Sequence, residues 1–266
     1  MTRIRAITAL ILAAAVLSAG CHFSADGESQ IQRWGGLFSE VRDQWSAEPG
    51  IELTTGPVVS VRAYIESTFL AAAMGNLDYA YPGFTEAVAP NDTTGALGAN
   101  TRRPALDIPL KSALVGNYRL HVLSVQHSGR DVAATVCTYS YRVAKEQDNG
   151  TFKSVQSGIG ESRGIYVERV MLVAPAGDVV QPSPQAGFGS APSNNVFGGW
   201  RITANLEFFH ARQPGFETLW PTYDADNQAC IDKAPDLPQR RAFLIDGEHP
   251  RSEFPTAPPD PGWPAP

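Results

Sequence analysis

The residues around Cys21 are the first in this chain whose types and spacing predict a chemical event. Two basic residues, Arg3 and Arg5, precede an apolar run from Ala6 to Val16, and Leu17-Ser18-Ala19-Gly20 brings small residues directly before the cysteine. A cationic start, an apolar stretch of about 7 to 15 residues and small residues at a cleavage point are the parts of a secretory signal peptide. The run is shorter than the roughly 20 apolar residues of a membrane-spanning helix. The sequence therefore predicts proteolytic removal of an export signal.

The segment Leu17-Ser18-Ala19-Gly20-Cys21 resembles the processing site of bacterial lipoproteins. The resemblance implies that residues 1–20 are the signal peptide, that cleavage falls before Cys21, and that this cysteine is acylated on its sulfur. Each buried methylene of an acyl chain contributes about 0.8 kcal/mol to membrane binding. The implied partner is a lipid bilayer, and the implied location is the extracytoplasmic face of a cell membrane, where the protein is held by its lipid anchor.

Length and charge narrow the classes of protein that remain. The chain has 266 residues and a formal charge of −6, and removal of Arg3 and Arg5 with the signal peptide makes that charge −8. Nucleic-acid binding needs basic patches, so no nucleic-acid partner is expected. Arginine outnumbers lysine by 17 to 4, which is typical of a GC-rich bacterium such as an actinobacterium. The length fits one large domain with tails, or at most two small domains.

With Cys21 assigned to lipid, Cys137 and Cys230 are the two cysteines that remain. An even pair in an oxidising compartment most often forms a disulfide, and the alternative is two separate buried thiols. The sequence has no CxxC or HxxxH spacing, so no metal site is expected. It has no GxSxG, Walker or GxGxxG motif either, so no cofactor and no catalytic residue is predicted from motifs.

Hydrophobic spacing predicts helices in the first third of the mature chain. In segment 21–56, a polar tether leads to an amphipathic helix that either packs on the domain or lies among lipid headgroups. Its apolar face is formed by Ile31, Trp34, Phe38, Val41 and Trp45. A second helix begins at Pro57 and ends at Gly75-Asn76, and a third covers Leu77 to Val88 with a break at Pro82-Gly83.

Alternating patterns predict strands in the second half. The expected strands are a first one from Asn117, with a hairpin turn at Ser128-Gly129, and then Asp131–Ala144, Gly164–Ala174 and Gly199–Phe209. Such an order predicts an antiparallel meander. Residues 90–104 and 180–198 are rich in Gly, Pro, Ser and Asn and are expected to be loops, the second one mobile.

Residues 234–266 are rich in proline and are expected to form an extended tail outside the packed core. The tail is either a disordered end or a docking segment for a proline-reading groove. This organisation leaves residues 57–233 as the folded domain.

The folded domain resembles the nuclear-transport-factor-2-like cone over about residues 57–210. The residues from Tyr64 to Asp78 are similar to its opening helix and the turn that follows, and Gly198-Gly199-Trp200-Arg201-Ile202 is similar to its late strand. The resemblance implies an α+β fold in which N-terminal helices pack on a curved antiparallel sheet. Cones of this kind can hold isomerases and dehydratases, which need a carboxylate or histidine base and an oxyanion-stabilising group. The candidate pocket residues are Tyr64, His121, Tyr139 and Tyr141.

Three functions stay open at this point. The first, which we favour from the sequence, is a noncatalytic envelope lipoprotein that acts as an interaction or accessory module by contacting another envelope protein. The second is a carrier or sensor of a small apolar ligand or lipid, and the third is a cone-fold enzyme. A filled cone would favour the first, an apolar and aromatic cavity the second, and a buried Asp or His beside Tyr64 the third.

Overall fold

The computed structural model describes residues 32–156, 160–177 and 183–265. The predicted signal peptide, Cys21 and the predicted tether up to residue 31 lie outside these residues. The described chain has an α+β fold built on one seven-stranded sheet. The strands are β1 Glu40–Ala47, β2 Leu114–Ser128, β3 Asp131–Tyr139, β4 Val143–Glu146, β5 Phe152–Ser154, β6 Ile165–Val173 and β7 Arg201–Leu206. The α-helices are α1 Gly56–Met74, α2 Phe84–Ala87, α3 Phe216–Leu219, α4 Tyr223–Asp232 and α5 Pro238–Ile245.

The sheet is antiparallel apart from one parallel pair. Its order is β5-β4-β2-β3-β6-β7, and β1 pairs in parallel with β2. The predicted hairpin between β2 and β3 is confirmed, with Gly129 at a positive φ of 61° that suits glycine. The predicted strand 131–144 is divided instead, because a turn in which the Val143 N–H donates to the Ser140 carbonyl separates β3 from β4. Both strands pair with the same edge of β2, because β1 occupies the other edge over residues 115–122. Strands β2, β3, β6 and β7 are consecutive antiparallel neighbours, as the predicted meander requires, and β1 is added in parallel.

Helix α1 follows its sequence signals closely. Pro57 lies in its first turn, and Gly75 ends it in the left-handed conformation at φ 64°, donating its N–H to the carbonyls of Ala71 and Ala72. The predicted third helix is divided into a 3₁₀ turn at Leu77–Tyr79 and α2, as the break at Pro82-Gly83 implies.

Side chains on opposite faces of the sheet belong to two apolar cores. On β3, Val136 and its alternate neighbours face the core that contains α1, whereas Cys137 and Tyr139 face a second core formed with α4 and α5. Cys137 and Cys230 form a disulfide that joins β3 to α4. The predicted pairing is therefore confirmed.

The amphipathic helix predicted between Ile31 and Trp45 is wrong. Beyond a short 3₁₀ turn at Gly36–Phe38, this segment forms β1, in which Val41, Asp43 and Trp45 alternate as buried residues. The double glycine weakens a helix, and the two-residue period of β1 lets it pair with β2.

The proline-rich tail is not an extended end outside the core, so that prediction is also wrong. It contains α5, and its Trp263 side chain is only 1% exposed. The Arg62 guanidinium lies 4.4 Å from the centre of the Trp263 ring and donates to the Pro261 carbonyl at 2.6 Å. The apolar area of Trp263 and the buried donors of Arg62 together favour packing over solvent exposure.

The described part of the loop 180–198 also packs against the domain, which the expectation of a mobile loop did not include. Phe197 is buried, and its carbonyl accepts a hydrogen bond of 3.0 Å from the Ser60 hydroxyl of α1. Residues 90–104 form a loop, as predicted, with one 3₁₀ turn at Ala99–Thr101. Among the described residues, no helix has the length and apolar character needed to cross a bilayer.

Candidate functional site

A cavity of 790 Å³ lies between α1, β6 and the segment that follows β7. Its size is within the range of small-molecule sites, about 300 to 1,000 Å³. The residues that line it are Tyr64, Thr68, Phe69, Ala72, Thr101, Pro104, Tyr118, Ser140, Val155, Gln156, Ser162, Ile165, Tyr166, Val167, Glu168, Asn205, Glu207, Phe208, Tyr223 and Asn227. The wall is largely aromatic, with a small group of polar side chains.

The register of two strands accounts for the position of the cavity. Strand β7 pairs only with residues Arg169–Val173 of β6, whereas residues Ile165–Glu168 pair with β3 on their other side. After Leu206 the chain leaves the sheet and forms a 3₁₀ turn at Phe208–His210. The first half of β6 therefore has one unpaired edge, and the cavity lies along it.

Glu168 is the most unusual polar residue of the site. It is 5% exposed and lies on the same face of β6 as Tyr166, two residues earlier. Its Oε1 atom is buried and has no hydrogen-bond partner. Asn205 at the end of β7 is similar, being 6% exposed with a buried, unpartnered Oδ1. Because a buried acceptor without a donor costs free energy, both atoms indicate a place for a ligand's donors.

A second carboxyl group completes the polar side of the cavity. The Asn205 side-chain amide donates to Glu207 Oε1 at 3.1 Å. The Glu207 backbone N–H donates to His210 Nδ1 at 3.0 Å, which holds the turn after β7 in place. Asn205 and Glu207 are thus arranged as one unit beside Glu168.

Burial changes the proton affinity of both carboxyl groups. Burial, and secondarily the charge of Glu207, raises the pKa of Glu168 to about 8, although its contacts with Asn205 and Thr138 act in the opposite direction. Burial raises the pKa of Glu207 to about 7. Both groups can therefore gain or lose a proton near neutral pH.

The aromatic side of the cavity is well ordered by packing. The rings of Phe69 and Tyr118 lie 4.9 Å apart between their centres. Tyr64 is buried, and its hydroxyl donates to the Arg102 carbonyl at 2.8 Å. Burial raises the pKa of Tyr64 well above its ordinary value, and Glu168 adds to this effect. Its hydroxyl hydrogen is thus already used by the protein.

The four side chains that the sequence placed in one pocket do not share one. Tyr64 lines the cavity, whereas His121, Tyr139 and Tyr141 do not. His121 lies beside β1, where Nδ1 contacts Ser46 Oγ at 2.9 Å and Nε2 contacts Glu48 Oε1 at 2.8 Å.

Strand alternation explains why the two tyrosines are on the wrong face. Tyr139 has the same parity on β3 as Cys137, and its hydroxyl donates to the Cys230 carbonyl at 3.1 Å in the second core. Tyr141 belongs to that core as well, whereas Ser140 lines the cavity.

Glu168, Asn205 and Glu207 were not predicted as site residues from the sequence. A usable signal was present: an acidic residue two positions after Tyr166 on an apolar strand, and two polar residues where the next strand ends. A charge inside a strand that is otherwise buried points to a site more often than a lone aromatic residue does.

No group of three or more His, Cys, Asp or Glu side chains within the described ranges is arranged to hold a metal ion. The cavity offers instead hydrogen-bond acceptors, two titratable carboxyl groups and aromatic rings. In comparisons with known proteins, the chain matches no family model, no curated protein and no solved structure.

Proposed function

We propose that this protein is a membrane-anchored envelope lipoprotein that binds a small, largely apolar ligand in the cavity beside β6. The observation that carries the proposal is the cavity of 790 Å³, in which aromatic rings surround the unpartnered acceptors of Glu168 and Asn205. Apolar pockets with a few convergent polar groups are the usual form of ligand sites. The signal segment that ends at Cys21 supports the membrane anchor.

We also propose the nuclear-transport-factor-2-like cone as the fold type. Helix α1 packs against the sheet, and the cavity opens between them, as the resemblance over residues 57–210 implies. In this proposal the tail from residue 234 is an addition that closes the core around Trp263.

A carrier or sensor accounts for the cavity better than a module that acts only by surface contact. The contact hypothesis rested on the lack of catalytic motifs and on the lipid anchor, an aromatic first helix, two loops and an exposed tail, and a filled cone would have favoured it. The cavity is open, and both the tail and the described part of the loop contribute buried residues, Trp263 and Phe197.

An enzyme of the isomerase or dehydratase type is the second candidate, favoured by one observation. Glu168 and Glu207 have pKa values of about 8 and 7, which suits proton transfer at neutral pH. The oxyanion-stabilising role expected of Tyr64 lacks support, because its hydroxyl donates to the Arg102 carbonyl. We therefore place binding ahead of catalysis.

The proposal can be tested by recovering the ligand. The protein is expressed in a GC-rich bacterium, purified from its membranes, extracted with organic solvent and analysed by mass spectrometry. The variant Ala72→Trp fills the cavity from α1, and Ala72→Ser leaves it open as a matched control. We expect a small molecule with the wild type and Ala72→Ser, and its loss with Ala72→Trp.

Two outcomes would contradict the carrier function. One is a purified protein that holds no small molecule and takes up none from a total membrane extract. The other is a ligand that the wild type converts chemically and that Glu168→Gln leaves unchanged, which would support the enzyme.

A further inference from the structure

Two buried oxygens of the cavity favour a ligand that donates hydrogen bonds. Glu168 Oε1 and Asn205 Oδ1 are both buried acceptors without a donor. Glu207 Oε1 accepts a hydrogen bond from the Asn205 amide at 3.1 Å. A ligand that brings only acceptors would leave Glu168 Oε1 and Asn205 Oδ1 unsatisfied, which is costly in a buried site.

Among ligands that donate hydrogen bonds, the charges around the cavity favour a cationic one. No Lys, Arg or His belongs to the described residues that line it. Two guanidinium groups adjacent to lining residues in the sequence donate elsewhere: Arg102 to the Pro90 carbonyl at 2.6 Å, and Arg169 to Gln126 Oε1 at 2.8 Å. The two carboxyl groups therefore face the cavity without a protein counter-ion.

His210 does not supply that counter-ion. Its Nδ1 accepts a hydrogen bond from the Glu207 N–H, which requires an unprotonated nitrogen. Burial lowers the pKa of His210, which keeps the ring neutral.

The aromatic wall adds a second attraction for a cation. The rings of Phe69 and Tyr118 lie 4.9 Å apart, and Tyr166 and Phe208 line the same cavity. The face of an aromatic ring attracts an ammonium group, and the attraction increases where water is excluded. The same rings can cover the apolar body of a ligand.

We infer, building on the proposed binding function, that the cavity takes an amphiphilic organic cation. A primary or secondary ammonium group donates to Glu168 and Asn205 and balances the charge of Glu207. The aromatic or aliphatic body of the ligand lies along the ring wall. The ligand class is thus an amine with an apolar body, as opposed to a fatty acid, an anionic headgroup or a neutral hydrocarbon.

The experiment compares three probes that differ only in their polar group: 2-naphthylethylamine, 2-naphthylethanol and 2-naphthylacetate. Each is titrated at pH 7 into the detergent-solubilised mature protein by calorimetry, with empty micelles as the reference. We expect the amine to bind about 10- to 100-fold more tightly than the alcohol, as a charge-assisted hydrogen bond implies, and the carboxylate to bind most weakly.

The variant Glu168→Gln removes the carboxylate form that a bound ammonium group would favour over the protonated form, while it keeps the size of the side chain and one acceptor oxygen. We expect it to lower the affinity for the amine about 10-fold or more and to change that for the alcohol less than about 3-fold. Glu146→Gln on the exposed end of β4 is the matched control and should change neither.

Each result leads to a different conclusion. Equal or tighter binding of the alcohol or the carboxylate by the wild type overturns the cation inference and leaves the carrier function standing. Equal losses for amine and alcohol in Glu168→Gln also overturn it, since they indicate a purely structural role. Failure of all three probes to bind contradicts the cation inference, and ligand extraction then decides the carrier function on its own.

Discussion

Trp263 donates its indole N–H to Glu66 Oε2 at 2.7 Å, although 197 residues separate the two in the chain. Glu66 is buried on α1 and also accepts hydrogen bonds from Trp45 at 2.8 Å and Tyr81 at 2.6 Å. One carboxyl group thus joins the first strand, the first helix and the end of the chain. The last residues are therefore part of the core and contribute to its stability.

Replacing Trp263 should accordingly destabilise the whole fold. Trp263→Ala removes a buried ring and one of the two donors to Glu66 Oε2, so we expect a loss of about 3 to 5 kcal/mol. Urea denaturation followed by circular dichroism measures this loss. Phe188→Ala, at a side chain that is 97% exposed, is the control and should change stability by less than about 0.5 kcal/mol. A similar small change for Trp263→Ala would show that the tail is not part of the core.

Removal of the disulfide should weaken both stability and ligand binding. The bond closes a long loop, because Cys137 and Cys230 are 93 positions apart in the sequence, and such a loop contributes about 4 to 5 kcal/mol in the chain-entropy model. Cys137→Ala/Cys230→Ala should therefore unfold at a lower urea concentration.

The same variant should bind ligand more weakly, because α4 supplies Tyr223 and Asn227 to the cavity wall. Non-reducing peptide mapping of the wild type provides the control, since it should show the Cys137–Cys230 bond directly. Two free thiols in exported protein would contradict the pairing.

The buried carboxyl of Glu168 should make the protein less stable as pH rises. Its pKa is about 8 in the folded protein, above the ordinary value of 4.5. Between these two pH values the folded state keeps a proton on Glu168 that the unfolded state releases, so stability falls as pH rises. Each pH unit between 4.5 and about 8 reduces the free energy of unfolding by about 1.4 kcal/mol, which gives on the order of 5 kcal/mol in all.

Denaturation of wild type and Glu168→Gln at pH 5 and pH 8 tests this expectation. From pH 5 to pH 8 the wild type should lose more unfolding free energy than Glu168→Gln does. Glu146→Gln, at an exposed position, should follow the wild type. Parallel curves for wild type and Glu168→Gln would mean that Glu168 titrates normally.

Substitution of Cys21 should release the protein from membranes. Acylation needs the cysteine sulfur, so Cys21→Ser should leave the protein in the soluble fraction or unprocessed. Cell fractionation measures the distribution, and the intact mass of the wild type should include an acyl adduct on a chain that begins at Cys21. An unmodified mature chain with another first residue would rule out the anchor.

The sequence predicted those elements whose signals are local. Pro57 and Gly75 mark the ends of α1, and Gly129 marks the hairpin between β2 and β3. Strand β1 was missed because Phe38, Val41 and Trp45 also fit a helical spacing, while the buried charge of Asp43 obscured the alternation.

The site depends on pairing that the sequence does not contain. Glu168 meets Asn205 only because Val170 pairs with Asn205 and the pairing stops at Leu206, so the cavity follows from the register of two distant strands. Tyr139 could be assigned to a strand, but nothing local indicates which face of β3 lies towards α1.

The bond between Cys137 and Cys230 has a consequence for when the proposed binding cavity is complete. In the proposed exported lipoprotein, reducing conditions before export would leave α4 without a covalent link to β3, so one wall of the cavity would be held by noncovalent contacts alone. Oxidation after export would then fix that wall. Under the proposed binding function, we therefore expect ligand affinity to be lower before the bond forms than after it.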